Sequence, residues 1–268
     1  AAALCRKVGM RSCKELREAW VVFWWFKDVS APDLATLGTL GSVLPELESL
    51  SLYFGSADGP DGVQRLVEKL GAGALQAVIF LRLNGVHLGD AGASALAAAL
   101  GRGALPRLKH LRLFTAAIGD AGLVALAPAL RRRPALQVLG LIGNPFGDEG
   151  LAALVAPPQP AGASPLPLPT GGLKKLRVLN PDCTQVSDAG CAALAAALDS
   201  GALPALEDLS IDDLPASAAA IGAVREALER SRAEALARAE RAAIAASAAR
   251  ELGRRRSKRL RGGERGTH

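Results

Sequence analysis

The chain has few of the side chains from which catalytic and metal sites are assembled. Its 268 residues include three histidines (His87, His110, His268) and four cysteines (Cys5, Cys13, Cys183, Cys191). Neither cysteine pair has the short Cys-x-x-Cys spacing of a zinc site, and there is no phosphate loop of the G-x-x-x-x-G-K-[ST] form. No nucleophile, acid/base pair or ligand set is brought together by spacing, so the expectation is a non-enzyme with no metal and no cofactor. Four scattered cysteines also cannot make a disulfide framework, and buried or idle thiols are expected. Long apolar runs are missing as well. The longest bulky one, Val21 to Phe26, is far shorter than the roughly 20 residues a bilayer-crossing helix needs, and no membrane span is expected. No secretory signal is visible, and an opening at Ala1 suits a fragment or a processed form. The expected compartment is the cytoplasm, or the nucleus if the basic carboxyl end is an import signal.

Aromatic residues make up only 4% of the chain, while half of it is hydrophobic, chiefly Ala and Leu. That content suffices for a sizeable core, and its small side chains let backbones approach closely. The net charge of +6 is unevenly placed. Residues 253–268 carry seven Lys/Arg against the single acid Glu264, which leaves residues 1–252 close to neutral. The high isoelectric point therefore describes a tail, and the body shows no net pull toward nucleic acid or acidic lipid.

What is abundant is self-similarity. A pattern L-x-x-L-x-L is followed by an Asp twelve residues after its first apolar position. Val78, Leu81 and Leu83 lead to Asp90; Leu108, Leu111 and Leu113 to Asp120; Leu136, Leu139 and Leu141 to Asp148. Leu176 and Leu179 lead likewise to Asp188, with Pro181 in the third apolar place, where the strand should be imperfect. Leu47, Leu50 and Leu52 reach Asp61 two residues late, and a last unit at Leu206, Leu209 and Ile211 lacks the Asp. An earlier unit is read at Leu16, Ala19 and Val21 with Asp28; the alternative is a capping helix from Arg11 to Phe26. Six or seven units result, spaced 28 to 31 residues apart except for one longer step.

Each Asp precedes an Ala-rich helical run, as at Ala95 to Leu100 and Ala192 to Leu198. An Asp there accepts hydrogen bonds from unpaired helical N–H groups, so Asp90, Asp120, Asp148 and Asp188 read as structural caps. A unit is thus strand, loop and helix. Parallel strands stack about 4.8 Å apart and helices are about 10 Å thick, so strands must line the inside of a curve and helices its outside. The predicted fold class is α/β, a curved solenoid.

The stretch Leu136-Gln-Val-Leu-Gly-Leu-Ile-Gly-Asn-Pro-Phe-Gly-Asp-Glu-Gly150 resembles the ribonuclease-inhibitor class of leucine-rich repeats, as does Val78 to Leu100 with its Gly89-Asp90-Ala91-Gly92 step. The resemblance implies a protein-binding scaffold. The same class includes inhibitors, innate-immune sensors and GTPase activators of the Ran-specific family, which typically end in an acidic segment where this chain ends basic; a substrate-recognition subunit of a ubiquitin ligase is a further alternative, drawn from Cys5-Arg6-Lys7 and Cys13-Lys14-Glu15-Leu16 ahead of the repeats. The class usually carries Asn nine positions into each unit; here only Asn144 does, with Val86, Ala116 and Thr184 elsewhere. Those loops must satisfy their backbone groups in another way.

Four segments are expected: 1–43 as an amino-terminal cap or degenerate first repeat, 44–230 as the array, 231–252 as a helical extension and 253–268 as a basic disordered tail. Within the array, residues 156–172 hold six prolines and read as an exposed insertion, with a minimal PxxP at Pro157 to Pro160. Ile221, Val224 and Leu228 would cap the last repeat. Beyond them Leu236, Ile244 and Leu252 recur every eight residues, a drift that argues against a long coiled coil. The block Arg254 to Arg261 would suit an import receptor or a weak nucleic-acid contact; a solvated disordered terminus is the alternative.

Strand side chains alternate, so positions three, five and seven of each unit face the open concave wall. Tyr53, Phe80, Arg82, His110, Arg112 and Phe114 then form an aromatic and basic group, of the residue types that dominate protein interfaces, with Asn84 on the same wall as a further candidate contact. Val138 and Ile142 extend it as an apolar floor, and Asp182, Asp208 and Asp212 give the far end a negative rim. The expected partner is a protein, bound by a monomeric scaffold. The aromatic run Trp20 to Phe26 is read as covering the open end of the first repeat, since a solenoid must close its terminal core; the alternative is an exposed partner site or an interface with a missing amino-terminal domain.

Overall fold

The computed structural model describes residues 2–26, 30–54, 61–156 and 172–263. Seven strands lie in chain order in one parallel sheet: β1 (Val21–Phe26), β2 (Ser49–Phe54), β3 (Phe80–Asn84), β4 (His110–Phe114), β5 (Val138–Gly140), β6 (Val178–Asn180) and β7 (Asp208–Leu209). Helices α1 (Ala2–Lys7) and α2 (Cys13–Glu18) precede the sheet. After successive strands come α3 (Ala31–Leu40), α4 (Asp61–Glu68), α5 (Gly89–Gly101), α6 (Asp120–Arg131), α7 (Asp148–Val155), α8 (Asp188–Asp199) and α9 (Ala218–Gly263). From α3 to α9 each helix packs against the next, so the molecule is a curved solenoid with strands inside the bend.

The leucine rows drive this stacking. Leu50, Leu81, Leu111, Leu139, Leu179 and Leu209 stand opposite one another across successive strands. All are buried except Leu209, which is partly so in the last unit. Leu52, Leu83, Leu113 and Leu141 make a second fully buried row. Each such leucine removed from water contributes roughly 1.5–3 kcal/mol, and only the neighbouring units provide the cover. Pro181 takes the place of a second-row leucine and is buried, and β6 stops just before it.

The first unit differs from the sequence reading by three residues. Its strand begins at Val21, and Val22 and Trp24, not Ala19 and Val21, stand opposite Leu50 and Leu52. A shift by an odd number of residues exchanges the two faces of a strand. Val22 and Trp24 are accordingly buried, while Val21, Phe23 and Trp25 point outward. Leu16 belongs instead to the short helix α2, where with Leu4 and Cys5 it closes the amino-terminal end of the core. The first strand of the sheet, β1, thus lies inside residues 1–43, the segment read as a cap or a degenerate first repeat. Asp28 and residues 157–171 of the proline-rich insertion lie outside the described residues.

The capping aspartates cap, but each serves the helix of the next unit rather than its own. Asp90 Oδ1 accepts from Gly119 N at 2.7 Å and Gly122 N at 3.0 Å, at the start of α6. Asp120 does the same for Gly147 and Gly150 at α7, at 2.9 and 2.7 Å. Asp148 takes Ser187 N and Gly190 N at α8, and Asp188 takes Ser217 N ahead of α9. The glycine at the third position of α6, α7 and α8 is thereby explained: a Cβ on Gly122 would stand 2.5 Å from Asp90 Oδ1, one on Gly150 2.8 Å from Asp120 Oδ1, and one on Gly190 2.5 Å from Asp148 Oδ1.

Arginines complete the opposite helix ends. Arg102 donates to the carbonyls of Glu68 and Leu70 at the end of α4, and Arg133 to those of Leu100, Ala104 and Leu105 at the end of α5. A cation beside carbonyls left free at a helix carboxyl end also meets the negative pole of the helix.

Asn144 joins two loops. Its Oδ1 accepts from Ala116 N and Ile118 N at 3.1 Å each, and its Nδ2 donates to the carbonyls of Leu113 and Leu141. Where the sequence lacks this Asn, other groups substitute. Leu88 N and Gly89 N donate to the Ala116 carbonyl of the following unit, and Thr184 Oγ1 donates to Pro181 O.

At the carboxyl end Val224 and Leu228 are buried against the last repeat and Ile221 is partly so, as the pattern requires. Leu236 and Ile244 are exposed. The helix then runs without a break past residues 230 and 252 to Gly263, so the backbone of 253–263 is helical where a disordered tail is expected from charge. Ala, Arg, Lys and Leu all favour helix, and no proline intervenes.

The shared caps predict a reversed sign for a familiar substitution. Gly→Ala inside a helix ordinarily stabilises by about 1 kcal/mol; Gly150→Ala is expected to destabilise, because the new methyl displaces the Asp120 carboxylate. Asp120→Ala should cost about 1–2 kcal/mol, and the double variant should lose less than the sum. Urea unfolding of the four proteins measures this, and a stabilised Gly150→Ala would contradict the shared cap.

Candidate concave-face binding site

Because the strands alternate strictly, the rows next to the leucines all emerge on the concave wall. On β3 and β4 the odd positions are the more exposed ones, with Leu81, Leu83, Leu111 and Leu113 between them buried. The register sets Phe80 beside His110, Arg82 beside Arg112 and Asn84 beside Phe114. Tyr53 of β2 stands beside Asn84 and, on its other side, beside Trp25 of β1. Residues 28 or more apart in sequence are thus adjacent.

These side chains touch one another in three neighbouring groups, which together make a strip along the wall. Trp25 stacks on Tyr53 with ring centres 5.1 Å apart and planes within 7°, and Phe23 leans on the same ring at 5.0 Å. Tyr53 Oη accepts from Arg82 Nη1 at 2.8 Å. Arg112 lies 5.9 Å from the centre of the Phe114 ring, a cation–π contact. Phe80 stacks on His110 at 4.1 Å. Phe114 can lie flat over β5 because Gly140 is there: a Cβ at 140 would come within 2.4 Å of the Phe114 ring.

Phe23 and Trp25 are the residues that the sequence reading misses, and the Trp20 to Phe26 run does not act as a plain cover. Trp24 turns inward with Val22, while Trp20, Phe23 and Trp25 are 69%, 53% and 74% exposed. The outward face of β1 prolongs the aromatic strip by one strand. The signal was present in the alternation of Val21-Val22-Phe23-Trp24-Trp25, once the register is moved by three.

Electrostatics sharpen the picture. Burial pushes the His110 imidazole below its ordinary value of 6.5, and the nearby cations Arg112 and Lys109 push it the same way. Burial likewise lowers Arg112, with Arg82 adding like-charge repulsion. Asn84 Oδ1 is buried and finds no hydrogen-bond partner among the described residues.

The other expected site residues are not part of this strip. Ile142 lies past the end of β5, half-buried, its carbonyl accepting from Thr115 N. Asp182 is occupied in holding the last unit, accepting from Asp212 N and from Ser210 Oγ. Asp212 is paired with Arg225 of α9 at 2.6 Å. The acidic rim is therefore in part a set of braces. Among the described residues no group of three or more His, Cys, Asp or Glu is placed to hold a metal ion.

A depressed histidine makes stability depend on pH in a definite direction. Between the folded value and 6.5 the unfolded chain binds more protons, so stability rises with pH there and falls as pH drops through that window. His110 should titrate by NMR with a midpoint below 6.5, and His110→Gln should flatten the acid-side decline; a midpoint at or above 6.5 would contradict the half-buried stack on Phe80.

A family profile described as "Leucine Rich repeat" matches residues 105–127, which span β4 and the first part of α6. No curated protein matches the chain. Among solved structures, the chain is similar to leiomodin-1 actin-binding site 2, with 16% identity over 70% of this chain and 96% of that one and a TM-score of 0.46. It is similar to the tropomodulin C-terminal domain of Caenorhabditis elegans, with 20% identity over 58% and 86% and a TM-score of 0.40. A Bacteroides fragilis protein aligns at 12% identity over 85% and 68%, with a TM-score of 0.43. With the matched repeat lying mid-array among congruent strand, loop and helix units, the chain is a leucine-rich repeat protein.

Proposed function

We propose that this chain is a protein-interaction scaffold without chemistry of its own, whose partner binds the concave wall over β1 to β4. The observation that carries the reading is the strip itself: Phe23, Trp25, Tyr53, Phe80, His110 and Phe114 on one wall, with Arg82 and Arg112 among them. Solubility alone gives no reason to expose rings on adjacent strands, since contiguous apolar patches mark contact surfaces. Aromatic and Arg side chains are also the usual centres of binding energy. The rings are held by their neighbours before any partner arrives, so little side-chain freedom remains to be lost on binding. The rigid sheet beneath, fixed by its leucine rows, keeps the wall's shape during association.

Affinity capture with the intact chain, set against a Phe80→Ala, Arg112→Ala double variant, tests the reading. Phe80 is 46% exposed and Arg112 is partly exposed on the same wall, outside the leucine core, so the variant should keep its unfolding midpoint while losing its partner by about tenfold or more. A complex unchanged in the double variant would reject this wall as the contact.

A further inference from the structure

The concave strip contains an arrangement that the described residues leave electrostatically incomplete. Arg82 and Arg112 stand directly opposite each other on β3 and β4, where neighbouring backbones lie about 4.8 Å apart. Both side chains are half-buried among rings. Ion pairs elsewhere in the molecule join Arg to Asp or Glu, as at Arg177 with Glu207 and Arg230 with Asp199; among the described residues neither Arg82 nor Arg112 has such a partner. Two like charges side by side on a partly dehydrated wall repel each other, and an anion placed between them would relieve both. Arg82 uses one of its five N–H donors on Tyr53, and Arg112 lies beside the Phe114 ring, so the guanidinium planes are oriented with donors to spare.

Building on the reading of this wall as the contact surface, we infer that the partner inserts a carboxylate side chain between Arg82 and Arg112, from a peptide segment whose neighbouring residues are apolar or aromatic. Charge-assisted, forked Arg–carboxylate bonds supply the orientation. Trp25, Phe80 and Phe114 flank the pair and would cover the apolar neighbours. The same side chains could stack nucleobases, but the charge pattern favours a peptide. A phosphate backbone drawn along the trough would run toward Asp182, Asp208 and Asp212, whereas one carboxylate needs only the local pair.

The test pans a displayed library of random decapeptides on the intact protein, then measures one enriched peptide, synthesised and labelled, by fluorescence polarisation. The retained sequences should be rich in Asp or Glu beside Leu, Phe, Tyr or Trp. Binding should weaken by about tenfold when the peptide's acid is replaced by its amide, and similarly for the Arg82→Gln, Arg112→Gln variant. Thermal unfolding and Trp fluorescence of that variant should match the parent, which separates a lost contact from a lost fold. Peptides that depend on Phe80 but show no preference for acids would overturn the carboxylate inference and leave the wall as the contact surface. Peptides indifferent to Phe80→Ala as well would overturn both. A library that enriches no sequence overturns the inference, and so does a ten-residue oligothymidylate that binds more tightly than the peptide in physiological salt.

Discussion

Helix ends in this solenoid are completed by other units. A helix leaves four N–H groups and four carbonyls without partners. From α6 to α9 the amino-terminal N–H groups are met by the carboxylate of the preceding unit, and at α4 and α5 the terminal carbonyls are met by an arginine of the following one. Among the described residues only α3 brings its own capping box, at Ser30 and Asp33; from α4 to α9 a unit depends on its neighbour, which is the local form of the general rule that repeats are stable only in company. The constraint also explains sequence detail that leucine burial does not: glycine at the third helical position leaves room for a neighbour's carboxylate.

The same constraint fixes the binding wall. Caps and the Asn144 bridge hold consecutive loops in one relative position, and the strands between them are held in one register. Side chains at corresponding positions then form straight rows across the sheet. Arg82 faces Arg112, and Phe80 faces His110, because the stacking period is rigid; neither pair is near in sequence. The acids of the array are mostly absorbed by the fold, as caps at Asp90, Asp120, Asp148 and Asp188 and as a brace at Asp182. The two arginines on the wall have no comparable structural duty, and that contrast is what marks them.

Much of the fold could be read directly from residue order. The ladder of Leu81, Leu111 and Leu139 with its trailing Asp names strand, loop and helix in turn, and a strictly local period of about thirty residues admits few other structures. The concave residues Tyr53, Phe80, Arg82, His110, Arg112 and Phe114 follow from simple alternation within those strands. The first unit was harder to read, because it lacks the leucines that mark register; Leu16 offered a false start, and Phe23 and Trp25 were hidden among aromatic neighbours. Charge composition suggested a disordered end, whereas helix propensity carries the backbone of α9 to Gly263.

By itself, then, the sequence determined the repeat, the direction of the sheet and which side chains share the open wall, since all three follow from periodicity along one strand and one helix. Only the tertiary structure decided whom each aspartate caps, which face of β1 is buried, and that the two wall arginines meet without an acid among the described residues. Those are relations between units some thirty residues apart, and they depend on how far apart stacked backbones come to rest, a distance that no single repeat encodes.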